Sequence, residues 1–435
     1  MSRLALFGGL PQRTKAFPSW PVFDEAEEQA LLEVLRSGNW WRYSFGENLD
    51  QTDRRPRDER SKVAEFQEAF ARLHGARYGI ACANGTGAIE VALKALGIGP
   101  GDEVIVPAYT FIATASAVLS VNAVPIFVDI DLETFNIDAR RVEAAITPRT
   151  KAIIPVHFAG QACDMEAILA IAARHHLIVV EDAAHGHGGM WKDKPLGSIG
   201  QAGTFSFQAS KNMTAGEGGI ILTSDRAVAE KCESYVWCGR NPGRPWYEHH
   251  RLAWNYRLTE FQAAILLQQL TRVESQNARR VENARYLNQR LSEISGIHPL
   301  WVQEYATKHS YHLYMFRFRE EEFGIPREDF VKALESEGVA CQGGYAHPLY
   351  RNPMFLNQDF YPRGCPTTCG HYDRVIDYAS FEAVCPNAEQ ACREAVWLAH
   401  RQLLAGREDM DDIVAAVLKI RECRDEFRSA VAAGN

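Results

Sequence analysis

Long apolar runs are missing from this sequence: no stretch approaches the about 18 residues a helix needs to cross a bilayer. The first residues, MSRLALFGGLPQRTKAF, carry too short an apolar run for a secretion signal. A surplus of positive charge is missing too. The formal net charge is −8, so no overall basic field recruits nucleic acid or an anionic membrane. The ten cysteines follow no framework spacing, and only Cys365 and Cys369, in CPTTC, lie close together. With no second pair and no histidine ladder beside them, they read as free thiols rather than a zinc site, and no metal is expected. A reducing cytoplasm is the expected compartment. Internal repeats and low-complexity tracts are also absent.

What is present suits a large globular protein. The chain has 435 residues, 46% of them hydrophobic, enough for two joined domains with a real core. Short apolar runs predict strands over 103–108, 124–130, 151–158, 177–182, 203–208 and 218–223. Between them, amphipathic stretches such as 88–96 and 165–175 predict helices. Strand and helix in alternation imply an α/β fold around a mostly parallel sheet, with ligands outside the strands' carboxyl ends. The expected division is an N-terminal segment (1–35), a large domain (36–265) and a smaller C-terminal domain (266–435). A long helical pattern runs from 259 to about 293, and HSYHLYMFRFR (309–319) reads as a strand of the small domain. The stretch 46–62, dense in Asp and Arg, reads as an exposed mobile loop.

Four features fall at predicted strand ends or helix starts. In ANGTGAIEVAL (83–93), Gly85 and Thr86 open a helix whose free N–H groups favour a phosphate, although a plain helix cap uses the same residues. In LIVVEDAAHGHGG (177–189), an apolar strand delivers Glu181 and Asp182, followed by His185 and His187. A carboxylate there needs a cation or donors to stay ionised, and a salt-bridged cap would also satisfy it. In VPAYTFIATASA (106–117), Tyr109 and Phe111 offer either a flat platform or ordinary core. In TFSFQASKNMTAGEGG (204–219), Lys211 sits among small residues, with Ser206 upstream and glycines at 216, 218 and 219. Pyridoxal 5′-phosphate accounts for all four together. Its aldehyde takes a lysine, its pyridine nitrogen an anion, its ring a flat apolar neighbour and its phosphate a helix start.

These motifs resemble the DegT/DnrJ/EryC1/StrS sugar aminotransferases, fold-type I pyridoxal-phosphate enzymes. The resemblance runs over nearly the whole chain. NGTGAIEVALKALGIGPGDEVIVPAYTFIATASAV, TPRTKAIIPVHFAG, VVEDAAHGHGG, TFSFQASKNMTAGEGG and NYRLTEFQAAI carry it. It implies a large domain with a seven-stranded-type sheet, a smaller α+β domain, and a homodimer with active sites at the subunit boundary. It also implies that Lys211 is the Schiff-base lysine and that Asp182 faces the pyridine nitrogen. By the same resemblance, Phe111 stacks on the ring, and Gly85, Thr86 and Ser206 contact the phosphate. Asn255, in NYRL, matches an asparagine that reaches the phosphate from the neighbouring subunit.

His185 departs from the Gln of most relatives and is shared with the 3-amino-5-hydroxybenzoate synthases. NWWR (39–42) and VWLAHRQLLAG (396–406) echo those synthases too. SWPVF (19–23) fits them and the keto-inositol aminotransferases alike. Relatives that only dehydrate sugars carry His at the lysine position, whereas this chain keeps Lys211.

The expected reaction is amino transfer from L-glutamine or L-glutamate to a cyclic polyhydroxylated ketone, in aminosugar, aminocyclitol or polysaccharide synthesis. Trp40, Arg42, Tyr345 and His347 are candidate substrate contacts, weighed against ordinary packing. Two other readings are a synthase that dehydrates and aromatises an amino-shikimate ring, and a regulator that binds the cofactor without turnover.

Overall fold

The structure is a computed structural model and describes residues 3–42, 60–241, 244–245 and 247–427. The strands are β1 (Tyr78–Cys82), β2 (Glu103–Pro107), β3 (Val124–Val128), β4 (Thr150–Ile153) and β5 (Ile178–Asp182), then the short β6 (Met190–Trp191) and β7 (Lys194–Pro195). There follow β8 (Ala202–Ser206), β9 (Gly219–Thr223), β10 (Ile297–Pro299), β11 (Leu313–Phe318) and β12 (Ala395–Ala399). The helices of the first half are α1 (Glu25–Ser37), α2 (Lys62–Leu73), α3 (Gly85–Ala95), α4 (Ala113–Ser120), α5 (Ala139–Val142), α6 (Met165–His175) and α7 (Arg226–Val236). The second half adds α8 (Glu260–Leu291), α9 (Glu320–Phe323), α10 (Arg327–Ser336), α11 (Pro353–Leu356), α12 (Pro386–Glu394) and α13 (Arg407–Glu422).

Seven strands form the main sheet in the order β1-β9-β8-β5-β4-β2-β3. From β8 to β3 every neighbour is parallel, and β9 runs antiparallel to both β8 and β1. The strands β2, β3, β8 and β9 are buried at every position, as a sheet covered on both faces requires. A second, antiparallel sheet, β10-β11-β12, belongs to the C-terminal part. The core around the main sheet also takes in Leu349, Tyr350, Phe355 and Trp397, so the C-terminal chain folds back onto it. At the other end, Leu4 packs into the core of the small sheet, and Arg13 pairs with Asp409 at 2.7 Å.

The expected helices match closely, and local chemistry explains why. Met165–His175 is capped by Asp164, whose carboxylate accepts from Ala167 N, and ends at His176 in the left-handed region. Thr259 caps α8 through a capping box with Gln262. The expected boundary after residue 265 falls inside α8, one continuous helix.

Two expectations need correction. The strand expected over 151–158 stops at Ile153, because Pro155 has no N–H to continue the ladder. The charged stretch 46–62 is not all loop: Ser61 caps α2, accepting from Ala64 N, and Lys62 begins the helix. Positions 46–59 lie outside the described residues. Strand β1, the short segment YGIAC, is one the expected set lacked.

Among the described residues no helix is long and apolar enough to cross a membrane. All ten cysteines are unpaired.

Candidate active site

Strand order places the site. β1, β5 and β8 point the same way, so Cys82, Asp182 and Ser206 all end on one edge of the sheet. Gly219 opens β9 there and pairs with both Cys82 and Ser206. The connection from Ser206 to Gly219, carrying Lys211, therefore lies beside the start of α3. Glycine is required at this crossing. A Cβ at Gly219 would sit 2.3 Å from Asn84 O, and one at Gly85 would sit 2.6 Å from Ser206 Cβ.

That close approach makes a cup. Asn84 caps α3, its Oδ1 accepting from Gly87 N at 2.8 Å, so the first N–H groups of the helix stay turned toward Ser206. An anion fits there for the reasons that apply at any helix start, and Thr86 and Ser206 add hydroxyl donors.

Strand alternation separates the two carboxylates of β5. Glu181 faces away from the cup and is fully buried. It accepts from Gly197 N (2.9 Å), Ile199 N (2.6 Å) and Gly200 N (2.7 Å), and meets His157 Nε2 at 2.9 Å. Its role is to hold the 197–200 turn. Replacing it with glutamine is expected to cost about 1–3 kcal/mol, since an amide meets some of these donors with a donor of its own. A urea titration of Glu181→Gln would show this as a lowered midpoint at unchanged slope.

Asp182 faces the cup. Its Oδ2 accepts from Thr114 Oγ1 at 2.8 Å and its Oδ1 from Ala184 N at 3.2 Å. Burial pushes its carboxyl up, while the Thr114 and Ala184 hydrogen bonds and then the Lys211 charge oppose that rise. Lys211 makes no side-chain hydrogen bond or ion pair with any described residue, and its main-chain N–H donates to Gln208 O at 2.9 Å. Burial lowers its amine to about 8, with Asp182 pulling in the opposite direction. A neutral amine is the nucleophile, so uptake of pyridoxal 5′-phosphate by the empty protein should rise about tenfold per pH unit below that value and level off above it. Stopped-flow absorbance between pH 6 and 9.5 would trace the curve.

His185 is buried and accepts from Ala159 N through Nδ1 at 3.2 Å, which leaves its proton on Nε2. Its ring stacks on His312, centroids 4.1 Å apart. Burial, then the Lys211 charge, hold it well below the usual histidine range, so it is a neutral donor.

The two aromatics at the end of β2 part company. Tyr109 is core, 1% exposed and edge-on to Phe135, Phe158 and Tyr345. Phe111, two residues on, is 55% exposed at the sheet edge, as a platform awaiting a flat partner would be. Asn255 is exposed, paired by its backbone to Trp237.

The four candidate substrate residues divide. Tyr345 packs edge-on against Tyr109 and Trp397, and lies near enough to Asp182 for that charge to raise its hydroxyl, after burial. His347 is exposed, with Nδ1 donating to Pro348 O at 3.2 Å. Trp40 stacks near Phe261 of α8, and Arg42 binds Glu233 at 2.9 Å and Gln67 at 3.2 Å. Thr114, Asn212 and His312 went unnoticed in the sequence. Only Thr114 had a signal, a hydroxyl just inside the helix after Phe111.

The residues present fit pyridoxal 5′-phosphate. A half-buried amine with no side-chain hydrogen bond, a carboxylate behind it, an exposed flat ring and an anion cup meet on one sheet edge. Fold and site together define a pyridoxal-phosphate aminotransferase. The profile of the DegT/DnrJ/EryC1/StrS aminotransferase family matches residues 23–384, and the chain belongs to that family.

Among its relatives is an L-glutamine:2-deoxy-scyllo-inosose aminotransferase of Streptomyces fradiae, 38% identical over 97% of this chain and 98% of that one. Of the solved structures, a 3-amino-5-hydroxybenzoic acid synthase superposes with a TM-score of 0.82 at 35% identity, covering 95% of this chain and all of the other. NtdA from Bacillus subtilis, solved with bound cofactor PMP, has a TM-score of 0.76 at 27% identity, over 95% of this chain and 87% of that chain.

Proposed function

We propose that this enzyme moves an amino group from L-glutamine, or L-glutamate, to a cyclic polyhydroxylated ketone of the inosose kind, for the synthesis of an amino-cyclitol or aminosugar. The observation that carries the reading is Lys211 set free beside buried Asp182, next to the α3 cup. The names of the glutamine:inosose relatives support the donor and the acceptor class.

Bound pyridoxal 5′-phosphate supplies an aldehyde that carries nitrogen and a ring that takes up electrons as bonds at the donor's Cα break. Lys211 would hold the aldehyde, and its Nζ would take the proton from the donor's Cα and later give one to the carbon of the ketone. Asp182, its oxygens fixed by Thr114 and Ala184, would keep the proton on the pyridine nitrogen. His185 Nε2 would donate toward the ring's hydroxyl. Gly85, Thr86 and Ser206 would hold the phosphate, and Phe111 would cover the ring. Asn255 reaches the phosphate of a partner subunit in a homodimer. Tyr345 and His347, with Trp40 and Arg42 from the stretch after α1, border the space for the ketone. We place the dimer in the cytoplasm, where ten unpaired thiols persist.

The experiment is direct: the purified enzyme with L-glutamine and scyllo-inosose should yield an amino-cyclitol by mass spectrometry. Absence of amino transfer to this and related cyclic ketones would overturn the reading. His185 and the TM-score of 0.82 favour one second reading, an aromatising synthase. An aromatic amine formed from an amino-shikimate analogue, without need of an amino donor, would establish that instead.

A further inference from the structure

Two residues 380 positions apart, Trp20 and His400, meet over the turn that carries Lys211. Trp20 Nε1 donates to Ala209 O at 2.9 Å, and His400 Nε2 meets Ser210 O at 3.0 Å. Their rings lie edge to face, centroids 4.4 Å apart. Consecutive carbonyls, just before the lysine, are thus taken by two side chains from outside the β8–β9 connection.

The imidazole is itself held. Arg280, fully buried on α8, donates through one terminal nitrogen to His400 Nδ1 at 3.1 Å. A guanidinium only donates and a carbonyl only accepts, so His400 is fixed with its single proton on Nε2, aimed at Ser210. Arg280 is anchored by Asn277 Oδ1 (2.8 Å) and Gln276 Oε1 (3.2 Å), with its guanidinium carbon 5.7 Å from the Trp20 ring. Its neighbours are these polar atoms and rings, and it forms no ion pair with a carboxylate among the described residues.

The far side of the lysine is tied down as well. Asn212 Nδ2 donates to Ser310 O at 2.7 Å, and its Oδ1 accepts from His312 Nδ1 at 3.2 Å. Residues 209, 210 and 212 are therefore gripped, while the side chain of residue 211 is left without a bond. The Lys211 amine rides on a flexible four-carbon stem. Only its main chain can fix where that stem starts.

We propose that Trp20 and His400 are positioning residues: they clamp the Ala209–Ser210 carbonyls so that the Lys211 amine starts its proton transfer from one place. The proposal rests on the role given to Lys211 above. Misplacement of a reacting group by about 1 Å costs up to about 100-fold in rate, which sets the size of the effect.

The test compares His400→Leu, which fills the site without a donor, with His400→Gln, whose amide can still donate to Ser210 O. Trp20→Phe, which keeps a flat ring but loses the indole N–H together with its five-membered ring, is a second route. In the wild-type background, His400→Leu should slow both uptake of pyridoxal 5′-phosphate and kcat by about tenfold to 100-fold, with KM for glutamine unchanged. His400→Gln should recover most of the rate, and Trp20→Phe should show a smaller loss in the same two quantities.

The decisive arm uses Lys211→Ala rescued by methylamine, a base that needs no turn to hold it. There His400→Leu should cause no further loss. An equal loss in the rescued background, a change confined to KM, or a glutamine variant no better than leucine would each overturn the clamp. Activity of Lys211→Ala near the wild-type rate without added amine would overturn the reading of Lys211 itself, and the clamp with it.

Discussion

Lys211→Ala is expected to lower amino transfer by about 10³-fold or more, some 4 kcal/mol of barrier, and to end covalent attachment of the cofactor. Both effects follow from one atom. The Lys211 Nζ makes no side-chain hydrogen bond with a described residue, and desolvation brings it to about 8 against the opposing pull of Asp182. A base poised there shuttles protons well, and a neutral amine at that position condenses readily with an aldehyde. Fold stability should change little, because the side chain makes no bond that the fold would lose. The absorbance that wild type gains on reconstitution should lose its lysine-dependent band, while the cup at α3 still retains the phosphate. Steady-state rates and a reconstitution spectrum check the two halves separately.

Asp182→Asn is expected to cost about 10²-fold or more in kcat with the cofactor still bound. Asparagine keeps an oxygen to accept from Ala184 N, and its NH2 can donate to the Thr114 hydroxyl, so both partners behind the ring are kept. What disappears is the charge. Without it nothing holds the proton on the pyridine nitrogen, and the ring becomes a poorer sink for the electrons of the broken Cα–H bond. The loss should therefore fall on kcat in both half-reactions rather than on KM for either substrate. A change confined to KM would place Asp182 in substrate binding instead.

Much of this site was legible because each piece is a local pattern. An apolar run ending in Glu-Asp, a small-residue turn around Lys211 and Asn-Gly-Thr before a helix are read within a dozen residues. The same holds for α6, whose ends are set by Asp164 and His176. What stayed hidden depends on contacts distant in sequence. Tyr109 and Phe111 share one strand end, and chain distant in sequence, Phe135, Phe158, Tyr345 and the close return of Gly344, makes the first core and leaves the second bare. Trp20, Arg280 and His400 come from three separate segments and carry no shared spacing that periodicity could detect. HSYHLYMFRFR was legible as a strand, yet nothing in its alternation foretold that His312 would stack beneath His185. Arg42, a candidate substrate contact weighed against packing, pairs with Glu233 on α7, which its local sequence did not foretell.

The most direct measurement is borohydride reduction of the enzyme loaded with pyridoxal 5′-phosphate, followed by peptide mass mapping. The account predicts a phosphopyridoxyl mass on a single peptide, at Lys211. The tag at a different lysine, or no tag on a protein that nevertheless transfers amines, would contradict it.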